Sequence, residues 1–322
     1  MEKLKVGVIG AGVMGSNHIR VYSEMPHDVD LIGIFEPDTE KANFFTDRYG
    51  IIAFESAEEL LGNVQAVSIT APTSLHFKLG MLCAEKSVHA LIEKPIAANY
   101  TEGKQINDAF IKNDLVIQVG HIERFNPAIV ELKSIIQGFN VLSISFERLS
   151  VDRRIKDASV VHDLMIHDID ILNWLVGDKI KHIYATGIVN AIGNDSVDFA
   201  QALVKFQSGV TASLTASRIT EDKVRTISIH TDESFITVDC VSRSICINRK
   251  TNAQLNTSKS ALYRQETIVE KLIVPQYEPL RAQLNSFVES VRKRTPPLVS
   301  GATALTALEI ADIIQNKILE NE

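Results

Sequence analysis

Val6-Gly7-Val8-Ile9-Gly10-Ala11-Gly12-Val13-Met14-Gly15 is the stretch that decides the fold. An apolar strand runs directly into a GxGxxG turn, and residues 16–25 continue as a helix. In such a turn the first glycine allows the tight bend and the second lets the backbone approach a pyrophosphate. The third lets helix and strand pack closely. The following helix points its N-terminal amides at the phosphate charge. A second apolar run, Val29–Phe35, ends in Glu36, about 20 positions beyond Gly15. That is the spacing expected of a carboxylate that binds a ribose hydroxyl. Strand, turn, helix, strand and acid in this order predict a dinucleotide site built from Gly10, Gly12, Val13, Met14, Gly15 and Glu36. Glu36 repels a 2′-phosphate, and the nearest base is Lys41, beyond Pro37. The reading therefore favours NAD, with NADP the lesser expectation. The competing readings are an ordinary glycine-rich turn and a solvated strand-end acid.

The alternation of strand and helix continues outward from that motif. Apolar runs at 4–9, 29–35, 51–54, 66–70, 88–92 and 115–119 are separated by helix-like segments at 13–24, 39–49, 56–61, 74–85 and 100–112. Most of these strands are continuously apolar, the mark of a parallel sheet covered on both faces. After Gly120 the pattern changes. A helix-like segment at 127–137 precedes alternating runs at 141–149, 180–189, 199–206, 210–217, 226–230, 235–238 and 244–248. Alternation predicts antiparallel strands with one face on helices and the other more polar. Helices at 279–293 and 303–319 close the chain. The expected architecture is α/β: an N-terminal doubly wound parallel (Rossmann) sheet over 1–121, then an α+β domain over 122–322 with a large open, mainly antiparallel sheet. Such an open face is often covered by a second copy, so a homodimer or homotetramer through the C-terminal sheet is expected.

Bulk properties narrow the partners. The chain has 322 residues and a formal net charge of −7, with no basic run, which argues against nucleic acid. No apolar run reaches the roughly 18 residues of a membrane span. The first strand begins by Leu4, leaving no room for a signal peptide. Cys83, Cys240 and Cys246 are odd in number and lack metal-ligand spacing, so they read as reduced thiols of a cytoplasmic protein.

Ligands of open parallel sheets bind at the carboxyl ends of the strands. The fourth strand ends in Thr70-Ala71-Pro72, with His76 at the start of the next helix, either near the dinucleotide or only a helix-terminal residue. The fifth ends in Glu93-Lys94-Pro95, where a nicotinamide should lie. Lys94 there could stabilise an alkoxide, or be a salt-bridged surface lysine. The sixth leads into His121-Ile122-Glu123-Arg124-Phe125-Asn126-Pro127, whose charges are hinge pairs or cofactor contacts. Further on, Asp163, His167 and Asp170 stand at i, i+4 and i+7, one stripe of a helix over 160–176 backed by Leu164, Met165, Ile169, Leu172, Leu175 and Val176. That outward front reads as an acid–base pair, a solvated face, or a metal site. His162 and His167, five apart, do not share a face as paired zinc ligands would, and no metal is expected. Arg148, Arg153 and Arg154 suit a diphosphate or form a solvated cluster.

With these motifs in view, the chain resembles the Gfo/Idh/MocA family of sugar and inositol oxidoreductases. The match is carried by Gly10-Ala11-Gly12-Val13-Met14-Gly15, Thr70-Ala71-Pro72 with His76, Glu93-Lys94-Pro95, and Asp163 with His167-Asp168-Ile169-Asp170. The resemblance implies Lys94, Asp163 and His167 as the catalytic set. It adds Thr70, Ala71, Pro72, His76, Glu93, Lys94 and Arg124 to the cofactor site, and gives Lys94, Arg154, Asp163 and His167 to a substrate. Two features depart from the family's pattern: Thr73 stands where Asn is common, and Ala158-Ser159-Val160-Val161-His162 where a glycine-rich run is common. The 121–127 and 163–170 segments are similar to the branch acting at carbon 3 of UDP-N-acetylglucosamine. The implied reaction is hydride transfer between a sugar or UDP-sugar secondary alcohol and NAD. His167 would take the hydroxyl proton, Asp163 orient its ring and Lys94 stabilise the oxygen, with the choice between Lys94 and His167 as base left open. An inositol or free-sugar dehydrogenase, a self-recycling enzyme with a permanently bound cofactor, and a non-catalytic dinucleotide sensor are the alternatives.

Overall fold

The computed structural model describes residues 2–151, 159–193, 196–250 and 267–320. The chain forms two compact units: Met1–Phe125 with Tyr277–Asp312, and Asn126–Gln276 with Ile313–Glu322.

In the first unit the elements run β1 (Leu4–Ile9), α1 (Val13–Ser23), β2 (Val29–Phe35), α2 (Thr39–Tyr49), β3 (Ile52–Ala53), α3 (Ala57–Leu61), β4 (Ala66–Ile69), α4 (His76–Glu85), β5 (His89–Glu93), α5 (Tyr100–Lys112) and β6 (Ile117–Gly120). The helix starts are chemically marked: Asp38, Ser56 and Asn99 each accept a backbone N–H of the first turn of α2, α3 and α5, satisfying donors a helix leaves over. All six strands are parallel, in the order β3-β2-β1-β4-β5-β6. The strand order reverses between β1 and β4, which opens a crevice at their carboxyl ends. β4, β5 and β6 are buried along their whole length, as their unbroken apolar runs require.

The second unit begins with α6 (Pro127–Ile135) and β7 (Val141–Val151), continues through α7 (Ile166–Val176), and then runs β8 (Ile180–Val189), β9 (Val197–Phe206), β10 (Thr211–Ser217), β11 (Ile219–Thr231), β12 (Ser234–Asp239), β13 (Ser244–Lys250) and β14 (Thr267–Leu272). Its eight-stranded sheet has the order β14-β13-β12-β11-β7-β10-β9-β8 and is antiparallel except where β7 and β10 pair in parallel. Ile144, Phe146, Ala202, Val204, Leu214 and Ile229 are buried on one face. On the other, Tyr184 and Leu203 are register partners that stay 66% and 60% exposed, beside Ser213 and Ser145. β14 carries no strand signal in the sequence, because Thr267-Ile268-Val269-Glu270-Lys271-Leu272 lacks clean alternation. It is an edge strand whose side chains face solvent or lie half-buried.

The last helices, α8 (Pro279–Lys293) and α9 (Gly301–Glu320), were expected to close a 122–322 domain. Instead α8 and α9 up to Asp312 belong to the first unit. The reason is coverage. α8 sets Leu280, Leu284, Phe287, Val288 and Val291 into one core with Val6, Val8, Ile19, Tyr22 and Ile34. Each buried side chain of this size contributes about 1.5–3 kcal/mol, and without them one face of the β1 region would be wet.

His89, at the head of β5, is buried, and its Nδ1 accepts the Val116 N–H at 2.8 Å. Burial, helped by the nearby Arg294 charge, pushes its imidazole down to about 4 from the usual 6.5. The folded protein therefore holds this ring neutral where the unfolded chain takes up a proton. Stability supplied by His89 is complete above pH 6.5 and is lost as pH falls towards 4. The thermal midpoint should drop across that window, and His89→Gln should flatten the drop. An unchanged pH profile in the variant would count against this assignment.

Candidate dinucleotide and acid–base sites

The site in the first unit starts from the turn between β1 and α1. Gly10 has φ +88°, and a Cβ there would lie 2.9 Å from the Ala71 nitrogen. A Cβ on Gly15 would lie only 1.9 Å from the Gly10 carbonyl oxygen. Only hydrogen at these positions lets the start of α1 sit against the ends of β1 and β4. α1 has Gly12 at its N-cap and no side chain capping it. A Cβ on Gly12 would meet nothing within 4 Å. Val13 is 83% exposed and Met14 half-exposed. The first-turn amides of Val13, Met14 and Gly15 thus face an open edge with positive helix-dipole character. Glu36 stands beside them: its Oε2 accepts the Ala11 N–H at 2.6 Å and its Oε1 the Asp38 N–H at 3.1 Å. Uncapped amides, an unfilled turn and a strand-end carboxylate fit a dinucleotide.

Thr70 and Ala71 close the turn from the β4 side. The Thr70 hydroxyl donates to the Gly10 oxygen at 2.6 Å and lies 3.1 Å from that of Ile9. His76, expected at the cofactor, is buried. Its Nε2 lies 2.9 Å from the Ala71 oxygen and its Nδ1 2.8 Å from the Pro95 oxygen. Both partners are carbonyl acceptors, so a neutral ring donates to only one of them. Burial holds this imidazole below its usual value, against the pull of the two carbonyls and the Glu93 charge. Pro72 is exposed on the same loop. Lys94 is half-buried just after β5 and joins Pro95 through a cis peptide bond. Glu93 turns inward instead: it is buried, with its Oε1 3.2 Å from Nε2 of the buried His18. It rests on Gly120, where a Cβ would come within 2.5 Å of Oε1. Arg124 is 2% exposed, on a 3-10 turn at Ile122–Phe125.

In the second unit the expected helix over 160–176 is not uniform. Val161–Met165 forms a π turn, in which the Ile166 N–H reaches the Val161 oxygen, and α7 follows. Such turns recur at functional sites. Asp163 and His167 lie on either side of the change of helical type and are half-exposed. The outward acid–base front is narrower than expected, because Asp170 is buried. Asp168 is buried as well. Arg148 is buried rather than solvated, and it pairs with Asp168. Its Nε lies 2.9 and 3.0 Å from the Asp168 oxygens and its Nη2 2.7 Å from Oδ1, with both side chains almost fully buried. Arg153 and Arg154 lie outside the described residues. Among the described residues no group of three or more His, Cys, Asp or Glu is placed to hold a metal ion.

Two groups escaped the sequence reading. His18 shares the buried face of α1 with Gly15, Ile19 and Tyr22, so its helical phase was the available signal. Asp168 stands in the sequence only as a neighbour of His167, and no local pattern pairs it with Arg148, 20 residues earlier.

A doubly wound sheet with an amide-lined GxGxxG turn and a strand-end acid defines a dinucleotide-binding protein of the oxidoreductase kind. The profile described as an oxidoreductase family with an NAD-binding Rossmann fold matches residues 4–121, and that of the GFO/IDH/MocA C-terminal domain matches 145–237. The chain belongs to the Gfo/Idh/MocA family of oxidoreductases. It is 29% identical over 313 residues to the UDP-N-acetylglucosamine 3-dehydrogenase of Acidithiobacillus ferrooxidans, covering 97% of this chain and 96% of that one. The solved structure of that dehydrogenase superposes with a TM-score of 0.89 over 99% and 98% of the two chains, at 28% identity. The myo-inositol 2-dehydrogenase of Thermotoga maritima is 24% identical over 95% of this chain and 93% of its own. A levoglucosan dehydrogenase in complex with NADH shares the fold, with a TM-score of 0.85 at 20% identity, covering 100% of this chain and 98% of its own.

Two substitutions check this geometry. Gly15→Ala puts a methyl into the Gly10 carbonyl and should weaken NAD binding at least about tenfold in calorimetry. Arg148→Ala strands the Asp168 carboxylate in the interior and should lower stability by about 3–5 kcal/mol in chemical denaturation. Wild-type values for either would contradict the packing described.

Proposed function

We propose that this protein is an NAD-dependent dehydrogenase of a nucleotide sugar, oxidising the ring hydroxyl at carbon 3 of a UDP-linked N-acetylamino sugar. The observation that carries the reading is the end-to-end similarity to a UDP-N-acetylglucosamine 3-dehydrogenase, which spans both units. The similarity to an inositol dehydrogenase supports a second reading, oxidation of a free polyol. The choice of NAD over NADP rests on Glu36, whose charge opposes a 2′-phosphate. The nearest base, Lys41, already pairs with Asp38 at 3.0 Å.

Nicotinamide, when bound, accepts the hydride from the alcohol carbon. The protein's part is binding, orientation and proton handling. The amides of Val13, Met14 and Gly15 take the pyrophosphate, and Glu36 takes the adenosine ribose. His167 removes the hydroxyl proton, Asp163 orients its ring, and Lys94 donates to the oxygen as negative charge builds there. Arg154 contributes to holding the substrate. The exposed Tyr184, Ile188 and Leu203 of the eight-stranded sheet support a second copy of the chain on that face, in a homodimer or homotetramer. The three cysteines, none of them in a disulfide, suit the reducing cytoplasm.

A screen with NAD against UDP-N-acetylglucosamine, other UDP-sugars, inositol and free sugars tests this directly. UDP-N-acetylglucosamine should give by far the highest kcat/KM, and Lys94→Ala and His167→Ala should each cost about 10²–10⁴-fold in kcat. Preference for a free polyol moves the assignment to the second reading. NAD binding without turnover on any of these compounds leaves a dinucleotide sensor. Replacing Glu36 by Ala should narrow the preference for NAD over NADP by about tenfold or more.

A further inference from the structure

His76 carries a geometry that substrate and cofactor roles leave unused. It is 1% exposed, so its ring is spent inside the protein. The ring spans the two loops that leave the paired strands β4 and β5, beyond their last register pair, Ile69 with Ile92. On one side is the loop after β4, through the Ala71 oxygen, and on the other the loop after β5, through the Pro95 oxygen. The β4 loop is itself fastened to the phosphate turn, by the Thr70 hydroxyl on the Gly10 oxygen and by the contact of Gly10 with Ala71. Pro95 is the residue after Lys94. A continuous path of short contacts therefore runs from Gly10 through Thr70, Ala71, His76 and Pro95 to the backbone of Lys94. The far side of the Lys94 loop is fixed separately, where Glu93 is buried against His18 and Gly120.

We infer that His76 is a positioning residue that sets the Lys94 loop relative to the phosphate turn. It acts by holding the two loops through one ring rather than by touching cofactor or substrate. This rests on the reading that Lys94 works at the nicotinamide. A rigid aromatic link is suited to the task because its two nitrogens lie on opposite edges of a plane with only two rotatable bonds. Removing it frees a loop whose displacement is felt at the amine and not at the amides of α1.

The test compares His76→Ala with His76→Gln, whose amide keeps an N–H donor. In the alanine variant kcat should fall about tenfold or more, as for the loss of one internal hydrogen bond together with the packing of a buried ring. The dissociation constant of ADP-ribose, which probes only the phosphate turn, should move less than about twofold. The glutamine variant should recover part of kcat. Hydrogen exchange, read without substrate, should quicken over residues 93–97 in the alanine variant and not in β1. Unchanged exchange over 93–97 overturns the proposal. So does a fall in kcat matched by an equal loss of ADP-ribose affinity, which would mark general damage to the unit. If exchange quickens as expected while Lys94→Ala turns over normally, the link stands and the role given to Lys94 falls.

Discussion

The contact of Gly15 with the Gly10 carbonyl is the constraint on which the first unit depends. A helix can start against the end of a parallel strand only where no Cβ stands between them. Here the clearance is 1.9 Å from a side-chain position to a backbone oxygen, so any other residue would push α1 away. With α1 held close, its bare amides and Glu36 face one edge. Thr70 can reach the Gly10 oxygen, and His76 can span from Ala71 to Pro95. The cofactor edge is thus a set of backbone positions referred to one another by hydrogen bonds. Few of its members need a charged side chain to do their part.

The second unit is organised by different physics. Its sheet alternates, so one face is packed and the other meets solvent. The half-exposed Asp163 and His167 belong to the segment from the π turn to the first turn of α7. That segment is fastened to β7 by the Arg148–Asp168 pair. Two charges taken out of water are costly, and a bidentate arrangement with the partner in the next layer is what makes the burial tolerable. The pair fixes the residue next to His167, so the orientation of the imidazole is tied to the strand on which Arg148 sits. The Arg148 charge holds the frame.

The two units divide the labour. Hydride chemistry belongs to the cofactor, and the glycine turn with its strand-end acid is a local feature of the first unit. The half-exposed Asp163 and His167 lie in the second unit, on a segment whose change from π to α winding follows no short sequence rule.

How much could be known from the chain alone follows from the range of the interactions concerned. Periodicity settled the parallel and antiparallel sheets, because side-chain burial repeats over a few residues in any strand. The glycine spacing marked the turn from β1 into α1, since a tight turn and a helix start are local events. The packing of α8 on the first sheet was invisible, because an amphipathic helix states only that it has an apolar face and not which surface it covers. The pairings Arg148–Asp168, His18–Glu93 and His76 with two distant carbonyls were equally hidden. In each, a polar residue in a buried position must find its partner through space, and only the folded chain specifies which one it finds.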